Sequence, residues 1–176
     1  MKKILILLTV ICVQLNIVAQ KNHWTSIEYN SIELKGTQHI NPTKFETFHL
    51  DYAALKNQLW QAPLHQYDGS IQRSNISIQI PMPDKSIATF QIVESPVYES
   101  NFSTEFPAIK TFLAYNAEHP EWYARFDMTP HGFHAMIMGT KEGTIYIDPI
   151  THAGSDIENY LVYYKKDFTR EGETLD

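Results

Sequence analysis

Histidine is the first residue type to suggest chemistry: the chain holds eight, and His131 and His134 stand three residues apart. Two imidazoles grip a metal when both rings converge on one point, as residues on one face of a helix do. His131 and His134 instead bracket Gly132-Phe133, which reads as a turn leading into a strand, and there such spacing sends side chains to opposite faces. The expectation is a turn histidine, a sheet-surface histidine and no metal ligand. HExxH, which would place two imidazoles and a general-base glutamate on one helix, does not occur. No serine sits in a Gly-x-Ser-x-Gly elbow, and the single cysteine, Cys12, falls in an apolar N-terminal run. The carboxylate pairs Glu118 with Glu121 and Asp148 with Asp156 are matched by spacing alone. The residues therefore predict a protein that is not an enzyme, with no catalytic residue and no cofactor.

Aromatic side chains offer a different kind of chemistry. Trp122, Tyr123 and Tyr146 could form a sheet face that stacks on a glycan or a peptide, whereas Tyr160, Tyr163 and Tyr164 read as filling a sheet face. The chain has 176 residues, 43% of them apolar and 19% charged, which suits one globular domain and excludes disorder. A net charge of -6 with only 14 Lys+Arg leaves no basic surface for a phosphate backbone, so nucleic acid is excluded as a partner.

Residues 1–19 read as a signal peptide: Lys2 and Lys3 precede the apolar run from Ile4 to Val13, and Ala19 marks the cleavage point. That run is about half the length of a membrane-spanning helix, so no stable membrane anchor is expected. The expected product is exported, to the periplasm or beyond. It would hold no thiol, and its fold would rest on the hydrophobic core.

Periodicity supplies the elements that must position these side chains. Residues 20–44 carry no sustained period and read as a loose, extended arm with one short strand. Phe45, Phe48 and Leu50 lead to Asp51, a helix N-cap, with Leu50 and Leu55 as a hydrophobic staple and Pro63 as the stop. Ile76, Ile78, Ile80 and Met82 alternate with polar residues, as do Ala88, Phe90 and Ile92 beyond a Pro83–Ser86 turn, predicting a hairpin. Phe106-Pro107 predicts a short helical turn through Phe112. Strands follow around Trp122–Met128, Phe133–Ile137, Ile145–Ile147 and Tyr160–Tyr164, joined by turns at Thr129–Gly132 and Thr140–Gly143. The predicted architecture is α+β, a curved antiparallel meander of about six strands with one main helix packed on it, over residues 45–164. Residues 165–176 read as a charged linker.

The order of these motifs resembles the N-terminal propeptide of secreted, reprolysin-like zinc metalloproteases of Bacteroidetes-type bacteria. The matching residues are Phe48, Leu50-Asp51, Leu55 and Ala62-Pro63; Phe106-Pro107 and Ile109-Lys110; Arg125 and Pro130–Met136; Tyr146–Pro149 and Tyr160. The resemblance implies a non-catalytic propeptide that assists folding and keeps a protease latent. Its partner would be the cognate zinc metalloprotease catalytic domain, in cis or in trans. It implies a propeptide without its enzyme, whether a truncated precursor, a separately encoded prodomain or a cut piece. Lys165, Lys166 and Arg170 would then form the activation-cleavage zone. The competing expectation is a free-standing exported module that binds a glycan or peptide through Trp122, Tyr123 and Tyr146.

Overall fold

The computed structural model describes residues 21–38, 40–66, 74–97, 105–151 and 156–168. The predicted signal segment, Cys12 and Arg170 lie outside these residues. The strands are β1 (Trp24–Ser26), β2 (Glu46–Leu50), β3 (Ser77–Pro81), β4 (Ile87–Glu94), β5 (Lys110–Asn116), β6 (Tyr123–Thr129), β7 (Gly132–Met138), β8 (Ile145–Pro149) and β9 (Asn159–Tyr164). Helix α1 (Tyr52–Leu59) joins β2 to the β3 side of the sheet. All pairings are antiparallel, in the order β1-β2-β9-β8-β7-β6-β5-β4-β3. Strands β3 to β9 form a continuous meander; β2 then adds beside β9 and β1 beside β2. The sheet curls until β1 meets β3, giving a nearly closed barrel.

Alternation decides which side chains enter the barrel. Phe48 and Leu50, Ile78 and Ile80, Phe90 and Ile92, Phe112 and Ala114, Phe126 and Met128, and Ile145 and Ile147 all lie in one buried cluster. Their odd or even neighbours face outward, as the period of two requires. Each large side chain removed from water contributes about 1.5–3 kcal/mol, so this interior is the main source of stability.

Helix α1 stops one end of the barrel. The Asp51 side chain accepts from Ala54 N at 3.0 Å, and Leu55 and Leu59 are fully buried against the strands. The Tyr52 hydroxyl donates to Thr129 O at the end of β6 (2.6 Å). At the seam between β1 and β3, Gln58 Nε2 donates to Ser77 O and Gln58 Oε1 accepts from His23 Nε2, both at 2.6 Å. One helical residue thus ties the two sheet edges together where no strand ladder does.

The structure corrects the sequence expectation at several points. There are nine strands among the described residues, against about six expected. Glu46–Leu50 is a strand rather than a lead-in to the helix; the turn expected from Phe106 through Phe112 is confined to Phe106–Ile109, where Ile109 N donates to Phe106 O (3.0 Å), and Lys110–Phe112 open strand β5. In β5 both faces are partly covered, so Leu113 and Tyr115 blur the alternation of Phe112, Ala114 and Asn116, and pairing with β4 and β6 overrides the proline signal. The N-terminal arm is not loose. Trp24 is buried in edge-on contact with Phe133 and Tyr160, and Tyr29, Ile32, Ile40 and Phe45 cover Ile150, Leu161 and Tyr163 on the outer face. Nor does order end at Tyr164: Lys165–Asp167 form a 3-10 turn, and Phe168 packs near Tyr163.

Candidate binding site at the open end

The barrel end opposite α1 carries the turns β3–β4, β5–β6 and β7–β8 and the exit of β9. Between them lies a cleft of about 700 Å³. Met82 and Ile145, both buried in the main cluster, belong to its floor, and Trp122, packed against that cluster, lines it with them. Mouths of β-barrels are a recurrent location for ligand sites, and the volume lies within the range typical of such pockets.

Each turn is held by its own backbone chemistry. In β3–β4, Met82 N donates to Ser86 O (2.9 Å) and Lys85 N to Met82 O (3.0 Å). Asp84 accepts from Ser86 Oγ and Ser86 N, which holds its carboxyl below the usual carboxylate range. Lys85 takes a left-handed φ of 68°, and its ammonium reaches Glu46 of β2 at 3.2 Å across the barrel seam. In β5–β6, Asn116 Oδ1 accepts from Glu118 N and His119 N, both at 2.9 Å, and Trp122 N donates to His119 O at 2.8 Å. This fold-back stacks His119 on Trp122, with ring centres 4.1 Å apart and planes 15° from parallel. Gly139, with φ of 87°, lets the β7–β8 turn pass so close to Glu121 that a Cβ there would lie 1.8 Å from its carbonyl oxygen.

Charge at the mouth is mixed. Lys44, Lys141 and Lys166 face the cleft together with Asp84, Glu121, Glu142 and Asp167. Lys166 Nζ lies 4.9 Å from the centre of the Tyr164 ring. Burial pushes the Tyr164 hydroxyl above its ordinary pKa, and the charges of Glu142, Asp84 and Asp167 push it further the same way. His119 Nδ1 stands 3.5 Å from Glu121.

A smaller groove of about 340 Å³ lies on the outer face of β5 to β8. His134 Nδ1 is 3.2 Å from Asp127 Oδ1, and Asp148 accepts from the Tyr163 hydroxyl at 2.8 Å. Burial acts to lower the His134 pKa, but the hydrogen bond and charge of Asp127, with the charge of Asp148, outweigh it and leave the group raised.

The residues singled out in the sequence do not assemble into one face. Trp122 belongs to the mouth, Tyr123 is exposed on the outside of β6, and Tyr146 lies in the outer groove beside Tyr163, 5.9 Å between ring centres. His131 sits exposed in the β6–β7 turn and His134 on the sheet exterior. Lys165 N donates to Thr144 O, and Lys166 lines the mouth. Asp156 caps Glu158 N and Asn159 N, a structural task. His119, Met82, Ile145 and Tyr164 were not singled out as site residues. His119-Pro120 carried a turn signal, but nothing local showed that this turn shares a mouth with the other two.

Comparison with protein-family models, curated proteins and solved structures returned no match. Much of the motif order that resembles a metalloprotease propeptide has a packing explanation here. Phe48, Leu50, Leu55, Phe133, Ala135, Ile147 and Tyr160 are core, and Asp51 is a helix cap. Gly132, with φ of 127°, leaves room for Pro149 and the Tyr160 hydroxyl, and that hydroxyl accepts from Phe133 N and donates to Ile157 O.

Proposed function

We propose that this chain is an exported, non-catalytic binding module that takes a small ligand into the mouth of its barrel. The observation that carries the reading is the 700 Å³ cleft: buried apolar residues beneath it, a rigid His119–Trp122 stack beside it, and polar groups of both signs around it. Tight turns hold that lining in place before any ligand arrives, which lowers the entropy lost on binding. The mouth, rather than a platform of Trp122, Tyr123 and Tyr146, is the binding surface. The metalloprotease-propeptide reading, in which the barrel would cover a catalytic domain, has motif order as its support and ranks second.

Backbone NMR during a fragment screen tests this. Shift changes should concentrate in residues 82–86, 119–122, 140–145 and 164–167. Changes concentrated around Tyr123, His134 and Tyr146 would move the site to the sheet exterior. Stoichiometric inhibition of a zinc metalloprotease, unaffected by substitutions at the mouth, would favour the propeptide reading instead.

A further inference from the structure

Resting on the mouth as the binding site, we infer that its ligand is a neutral, polyhydroxylated molecule, a carbohydrate. The rim presents the ammonium groups of Lys44, Lys141 and Lys166 and the carboxylates of Asp84, Glu121, Glu142 and Asp167, so strong donors and strong acceptors stand around one cleft with little net charge. An anionic ligand would meet the carboxylates and a cationic one the lysines, each at a like-charge penalty. A ligand whose hydroxyls both donate and accept can use both sets at once. A flat surface is present as well. The His119 side chain is 48% exposed while stacked on Trp122, so the imidazole offers an indole-backed plane to the C–H face of a sugar ring. Asp84 is already oriented by two bonds from Ser86, and the Trp122 indole by packing against the main cluster and stacking with His119, so neither has to be ordered on binding.

Salt dependence separates this class from ionic ligands, because attraction between exposed charges is screened while neutral hydrogen bonding and stacking are not. The experiment is calorimetric titration of the full chain with neutral oligosaccharides, uronic-acid oligosaccharides and zwitterionic tripeptides, at low and high sodium chloride. A neutral oligosaccharide should bind with an affinity that changes less than about twofold across that range. His119→Ala should weaken it about tenfold, with Tyr123→Ala, on the outer face, leaving it unchanged. Circular dichroism of both variants checks that the fold is kept. Binding confined to the charged or zwitterionic ligands, with affinity falling steeply in salt and lost in His119→Ala, would overturn the assignment of a neutral carbohydrate and leave the mouth as the site. Neutral-sugar binding that His119→Ala leaves unchanged overturns the inference and the mouth reading together. No neutral-sugar binding at millimolar concentration overturns the inference alone.

Discussion

Gln58→Leu should open the barrel seam without disturbing the helix that carries it. The carboxamide joins Ser77 O, on the β3 edge, to His23 Nε2, just ahead of β1. Because Gln58 Nε2 is spent on a carbonyl, its Oε1 must be the acceptor for histidine, which places the His23 proton on Nε2. Leucine removes both bonds and leaves a carbonyl and an imidazole N–H facing an apolar group. Each lost bond is worth about 1 kcal/mol net, and groups left without partners add to that; the site is half-buried, so water recovers part of it, leaving about 2–3 kcal/mol. Helix propensity does not offset this difference, since leucine and glutamine are nearly equal. With a urea dependence of about 2 kcal/mol per molar, the midpoint should fall by about 1–1.5 M at unchanged slope. Amide exchange should accelerate in β1 and β3 before the rest of the sheet. Asn57→Leu, on the exposed side of α1, is the control and should stay within about 0.5 kcal/mol. A Gln58→Leu midpoint indistinguishable from that control would show that the seam is held by packing alone.

Other perturbations test separate parts of the structure. Gly132→Ala combines a positive φ with a Cβ placed 2.7 Å from Pro149 Cγ, so urea unfolding should show a loss of about 2–4 kcal/mol, and wild-type stability would contradict the close approach. Tyr160→Phe strips the bond accepted from Phe133 N and the one donated to Ile157 O inside the closed end, and should cost about 2–3 kcal/mol by the same measurement. The His134 pKa is raised in the fold, so its contribution is fully present below the unfolded value of about 6.5 and is lost as pH rises through the folded value. Asp127→Asn should flatten that dependence. Both side chains are more than a third exposed, so the effect on stability stays below about 1 kcal/mol, and NMR titration of the His134 ring is the sharper readout.

How much was legible depended on how local each determinant is. The N-cap at Asp51, the β3–β4 hairpin and the turn before Gly132 are written in a few adjacent residues, and the structure has each in place. Strands β2 and β5 were lost because their signal competes with a neighbouring helix cue: Asp51 immediately follows Leu50, and Pro107 precedes Lys110. A five-residue strand whose Thr47 is buried on the outer face, donating to Ile27 O, does not alternate cleanly. The missing information there is tertiary, since Ile27 lies twenty residues earlier in the chain.

The candidate site was less legible than the fold for a geometric reason. A meander sends alternate turns to opposite ends, so the turns at residues 82–86, 119–122 and 140–144 share a mouth, while the Thr129–Gly132 turn, which holds His131, goes to the other end. Sorting turns by end requires the strand count to be right, and one missed strand inverts every later assignment. Losing β5 did that. With six strands, the β3–β4 turn falls at the end opposite His119 and Trp122, and the mouth is not seen. Restoring β5 puts the β3–β4 turn, with Met82 and Asp84, at the same end as His119, Lys141 and Lys166. The functional reading therefore depends more on the parity of the strand order than on any single motif.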